Sequence, residues 1–109
     1  NSKIALNLSQ GKPLKYYSSD RIAQLMGNGI ATLIDKKTEI NQFFSNDEAV
    51  FYNSPNDLNH KLNKLLKNDI MRNTIARKGK LKYHKNFNST IVSDYMICKI
   101  FNIKKNFSW

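Results

Sequence analysis

Ile4-Ala5-Leu6-Asn7-Leu8 opens a stretch that runs through Tyr16-Tyr17-Ser18-Ser19-Asp20-Arg21 and Gly27-Asn28-Gly29 to Ile30-Ala31-Thr32-Leu33-Ile34-Asp35. The first run is short and apolar and reads as a buried strand over residues 4–8. Ser9-Gln10-Gly11-Lys12-Pro13 follows as a polar loop, because glycine and proline punctuate the chain. Ser18 or Ser19 can cap a helix, and Asp20 adds favourable charge to its first turn. Ile22, Leu25 and Met26 then share one helical face. Gly27 and Gly29 stop the helix: one can supply a left-handed cap, the other the tight turn onward. Residues 30–34 form the second strand. Strand, helix and strand in this order specify an α/β sheet. In such sheets ligands bind beyond the carboxyl ends of the strands. Function is therefore expected at the polar loop and the helix start.

Working outward, residues 38–44 predict a short helix with Ile40, Phe43 and Phe44 turned inward. Residues 49–52 predict a third strand. From there the pattern is helical. Ser54-Pro55-Asn56-Asp57 is a strong helix start: serine cap, proline first, acid third. Leu58, Leu62, Leu65 and Leu66 predict its buried stripe. Asn68-Asp69 breaks that helix and can cap the next, in which Met71, Ile75, Gly79 and Tyr83 recur at helical spacing. Asn88-Ser89-Thr90 offers a cap before the helical pattern Ile91, Val92, Tyr95, Met96, Ile100 and Phe101. The expected fold class is α/β: a small parallel sheet flanked by helices, with a helix-rich carboxyl-terminal part. Two further strands would complete a doubly wound domain, so the chain reads as a piece of a larger one. Residues 1–103 are expected to form the partial domain and residues 104–109 a tail.

The 109 residues suffice for one modest core. A single cysteine, Cys98, excludes an internal disulfide and a cysteine-cluster metal site; it reads as a small core residue. No apolar run is long enough to span a bilayer. The formal net charge of +10 favours an anionic partner, although lysines spread over the chain are equally a solvated surface. Arg72, Arg77, Lys78, Lys80, Lys82 and Lys85 flank an apolar stripe. They suit an ordinary solvated face with weak attraction to an acidic membrane surface. No nucleic-acid-reading module is recognisable.

The best anion site is the helix start, where unpaired N–H groups and the helix dipole favour phosphate. Arg21 offers a planar fork of donors, and Lys12 or Lys15 can add charge from the loop. The plain structural alternative is a capping serine, with Arg21 solvated or paired to Asp20 or Asp35. Tyr16 and Tyr17 suit stacking on a base or sugar, or covering the sheet end. Gly27-Asn28-Gly29 follows a helix and is no phosphate-binding fingerprint; the dinucleotide fingerprint and the P-loop do not occur. No carboxylates pair for acid–base work. His60 reads as surface and His84 as a cap or packing residue, and the two are weak evidence for a metal.

The stretch 17–29 resembles the donor-binding segment of GT-B glycosyltransferases, which have two Rossmann-like domains. More narrowly it is similar to the group described as glycosyl transferases group 1 or spore-maturation-protein-like. Glu48-Ala49-Val50-Phe51-Tyr52, Asp57-Leu58, Ile75-Ala76-Arg77-Lys78-Gly79 and Tyr83-His84-Lys85-Asn86-Phe87 continue the resemblance in order over nearly the whole chain. It implies the carboxyl-terminal, donor-binding domain of a cytoplasmic transferase, including one at the inner face of the membrane. A nucleotide-diphospho-sugar would be the donor substrate, with no cofactor and no metal. Ser18 and Ser19 would lie near the donor phosphates, with Arg21, Tyr17 and Lys15 beside them. The family's ribose-gripping glutamate is Gln24 here, which hydrogen-bonds hydroxyls without the charge. Altered donor preference or lost activity would both follow from that change. Gly29 matches the family's glycine, and Ala31 replaces its usual proline. The acceptor site and any catalytic base would belong to a missing amino-terminal domain, leaving this chain inactive alone. The alternatives are a non-catalytic basic module with an anionic or protein partner, and an inactive relative of the family.

Overall fold

A computed structural model describes residues 2–8, 12–16 and 20–107. Three strands, β1 (Ile4–Asn7), β2 (Ala31–Asp35) and β3 (Val50–Tyr52), form one sheet in the order β1-β2-β3. All pairings are parallel, with Asn7 opposite Ile34 and Leu33 opposite Val50. The helices are α1 (Asp20–Gly27), α2 (Pro55–Lys67), α3 (Asp69–Asn86) and α4 (Ser89–Ile100). The expected small parallel sheet flanked by helices is present, and its architecture is Rossmann-like.

Parallel sheets bury both faces, and this one does so with two clusters. On one face Ile22 and Met26 of α1 pack with Ile34, Phe51, Ile40, Phe44 and Ala49, joined by Tyr83 of α3 and Phe87, which caps that helix. On the other, Leu33, Val50 and Tyr52 pack with Leu65 of α2 and Ile75 of α3, joined by Ile4 and Leu6. The strict alternation along β2 and β3 explains the division: neighbours in a strand point to opposite faces.

Helix α3 serves both clusters, and Gly79 lies between its two contributions. A Cβ at Gly79 would collide with the backbone carbonyl oxygen of Glu48 and crowd the Met26 side chain. The glycine is there for close approach of helix to backbone. Its place in the helical stripe was legible in the sequence; the backbone it meets was not.

The local stop and start signals act as expected. Gly29 takes a left-handed φ of 73°. Its N–H donates to the Met26 carbonyl and that of Ile30 to the Leu25 carbonyl, a Schellman closure of α1. The Ser54 hydroxyl accepts from the Asp57 N–H at 3.1 Å, Asn68 Oδ1 from Met71 at 2.9 Å and Asn88 Oδ1 from Ile91 at 3.0 Å. His84 Nε2 lies 3.0 Å from the Gly27 carbonyl oxygen and ties α3 to the end of α1, the capping role its position suggested. Cys98 is buried and His60 exposed, as read.

Two expectations need correction. Residues 38–44 are not one helix but part of two 3-10 turns, Lys36–Thr38 and Ile40–Gln42. Glu39 between them takes φ 57°, which breaks the α-helical path. Leu66 is 58% exposed and leaves the stripe of α2 to Leu58, Leu62 and Leu65. The apolar pattern of α4 is largely uncovered, with Met96 56% and Ile100 73% exposed.

Candidate functional site

The carboxyl ends of parallel strands and the amino end of the helix that follows lie together at one edge of a βαβ unit. Here that edge carries the end of β1, the first turn of α1 and the turn segment after β2. Arg21, one residue into α1, donates from Nη1 to the Leu8 carbonyl oxygen at 3.1 Å. Its partner there is a backbone carbonyl thirteen residues away. The bond fixes a guanidinium at the strand end while satisfying a carbonyl that the β-ladder does not use. Gln24 follows Arg21 by three residues and is exposed, so the two share the outward face of α1. Ile22 and Met26 take the inward face.

Residues 12–16 are tied to the turn segment. The Tyr16 N–H donates to the Thr38 carbonyl at 2.7 Å, and the Tyr16 hydroxyl to Gln42 Oε1 at 2.7 Å. The Tyr16 ring stands edge-on to Phe43, with centroids 5.3 Å apart. A left-handed φ of 57° at Tyr16 permits this placement; such a backbone is strained for an aromatic residue and marks a position held by its surroundings. Lys15 pairs with Glu39 at 3.0 Å and lies over the Tyr16 ring. The hydrogen bond to Glu39, then its charge, raise the Lys15 pKa above the usual lysine value. Lys15 therefore keeps its charge throughout the physiological range. Tyr52 ends β3 opposite Asp35, and burial and then the Asp35 charge raise its hydroxyl pKa. An aromatic cleft of about 280 Å³ lies alongside, walled by Tyr16, Ile22, Phe43 and Phe87.

Asn7 is the group that reading the sequence passed over. It ends β1, is 3% exposed, and its Oδ1 has no hydrogen-bond partner among the described residues. Its register partner Ile34 belongs to the cluster beneath α1, so Asn7 faces α1 rather than α2. An asparagine ending an otherwise apolar strand was the available signal. Among the sequence-derived site residues, Arg21 and Gln24 are brought together on α1, and Lys15 is held against Glu39. Tyr17, Ser18 and Ser19 lie outside the described residues. Among the described residues no three His, Cys, Asp or Glu side chains group as metal ligands, and no helix is long and apolar enough to cross a membrane.

Chemically, this edge presents a fixed guanidinium, a helix amino end and a buried amide. The first two suit an anion; the third suits a hydrogen-bond donor. A family model described as "Glycosyl transferase-like" matches residues 1–96. No curated protein and no solved structure matches the chain.

Proposed function

The chain belongs to the glycosyl transferase-like family, and from that premise we propose that it is the donor-binding, carboxyl-terminal domain of a GT-B transferase. Its substrate is a nucleotide-diphospho-sugar bound where β1 ends and α1 begins. The observation that carries this reading is the Arg21 guanidinium fixed on the Leu8 carbonyl, at the strand end where α/β folds bind ligands.

Arg21 and the amino end of α1 hold the diphosphate, with Ser18 and Ser19 as hydroxyl donors and Tyr17 and Lys15 at the margin. In transfer, the bond between the anomeric carbon and the phosphate oxygen breaks as the acceptor hydroxyl oxygen bonds to that carbon. The leaving diphosphate gains charge, and the fixed cation and helix dipole stabilise it more than they stabilise the bound donor. The acceptor and the base that takes its proton belong to a second, amino-terminal domain in this reading. Gln24 faces the ribose hydroxyls and grips them without a charge.

Titration of the labelled chain with UDP-, GDP-, ADP- and TDP-sugars by NMR tests the proposal. One donor is expected to shift amides at residues 7–8 and 20–24, and Arg21→Ala to weaken it roughly tenfold or more, the scale of a charged hydrogen bond. Silence toward every donor, with salt-sensitive binding to nucleic acid or acidic vesicles, would replace the proposal with a basic anion-binding module.

A further inference from the structure

We propose that Asn7 reads a sugar hydroxyl of the bound donor, through a hydrogen bond accepted by its buried Oδ1. This rests on the donor-binding reading above and adds a residue to that site. Three observations carry it. Asn7 is only 3% exposed, and its Oδ1 finds no partner among the described residues. A buried acceptor left without a donor is costly, so it persists where something else supplies one. Its register opposite Ile34 turns it toward α1, whose amino end lies at the same edge of the sheet. The next residue, Leu8, already engages Arg21, so the amide and the guanidinium are set one residue apart along the strand end.

The chemistry then divides the ligand. A carbonyl oxygen accepts only, and an ionised diphosphate offers no proton to it. Asn7 Oδ1 therefore cannot serve the phosphates, which fall to Arg21 and the helix amino end. It requires a proton donor. In a nucleotide sugar the donors that flank the diphosphate directly are the O–H groups of the transferred sugar and of the ribose, whereas the N–H groups of the base lie beyond the ribose. A site built to hydrogen-bond a hydroxyl discriminates strongly, because a ligand lacking it leaves the buried group unpaired.

The test compares the chain with Asn7→Leu, of similar shape, and Asn7→Ala, each titrated by NMR with nucleotide sugar, the matching nucleoside diphosphate and inorganic pyrophosphate. Thermal melts run in parallel. The expected result is a nucleotide-sugar affinity roughly tenfold lower, unchanged pyrophosphate affinity, and a melting temperature for Asn7→Leu no lower than that of the parent. A purely structural asparagine would not separate affinity from stability in this way. If the diphosphate loses affinity in step with the nucleotide sugar, the hydroxyl is the ribose's; if only the nucleotide sugar does, it belongs to the transferred sugar. Folded variants that bind nucleotide sugar as the parent does overturn the assignment and leave the donor-binding reading standing. Loss of folding in both variants makes Asn7 structural and overturns it too. A parent chain that binds no nucleotide sugar overturns both.

Discussion

Helices α1 and α4 are both short and rich in apolar residues, yet they end in opposite environments. In α1, Ile22 and Met26 are buried against the sheet while Arg21 and Gln24 face outward. In α4 only Cys98 is buried, and Met96, Ile100 and the flanking Phe101 stand exposed. The partner of α4 is the segment that follows it: Ile103 N–H donates to the Cys98 carbonyl at 2.8 Å, Phe107 stands edge-on to Tyr95, and Lys105 pairs with Asp94. Apolar content brings a helix toward burial only if a complementary face is within reach. A sheet offers α1 a broad face; a short tail offers α4 a narrow one. The candidate site lies on the α1 side of this contrast, where a rigid support holds Arg21 and Asn7.

The contrast can be broken most severely at α1. Met26→Ala removes a fully buried side chain between α1 and the sheet, and is expected to cost about 3 kcal/mol in urea unfolding. Gly79→Ala is expected to cost roughly 2 kcal/mol, because the new methyl meets the Glu48 carbonyl, a backbone atom that cannot step aside alone. A neutral or stabilising result would mean that α3 shifts freely past the sheet. Ser54→Ala should cost about 1 kcal/mol by removing the cap of α2, an effect independent of either side of the comparison. Ile100→Ala closes the series with a change within about 0.5 kcal/mol, since its side chain is mostly in water. An effect as large as that of Met26→Ala would show that α4 is covered in solution.

The start of α2 adds a pH dependence. The Asn53 backbone N–H, and then Lys61, bond the Asp57 carboxylate and hold its pKa below the usual carboxylate range. A depressed folded pKa stabilises the chain fully above the unfolded value of about 4. That contribution is lost as the pH falls from there through the lower folded pKa. Asp57→Asn is therefore expected to flatten the decline in melting temperature between about pH 4 and pH 2, and an unchanged decline would remove Asp57 from the acid response.

Much of the fold was legible in the chain because its signals are local. Gly29 stops α1 since only a residue tolerant of positive φ closes that turn, and Ser54, Asn68 and Asn88 cap helices through bonds spanning three residues. The strand–helix–strand order and the family resemblance were legible for the same reason. The 3-10 turns of residues 36–42 were not, because their helical spacing is interrupted by the backbone of Glu39 alone. Of the site, Arg21 and Gln24 could be read from the helix start, but the bond from Arg21 to Leu8 could not, since its partners are thirteen residues apart. Asn7 looked like a polar interruption at a strand end, and only the register against Ile34 turned it inward beneath α1. By itself, then, the sequence determined where elements start, stop and alternate, which is settled by dihedral preference and hydrogen bonds within a few residues. Only the tertiary structure decided which apolar faces found cover, how closely α3 could pass Glu48, and which polar groups meet at the sheet edge. Those outcomes depend on the shape and distance of surfaces remote in the chain.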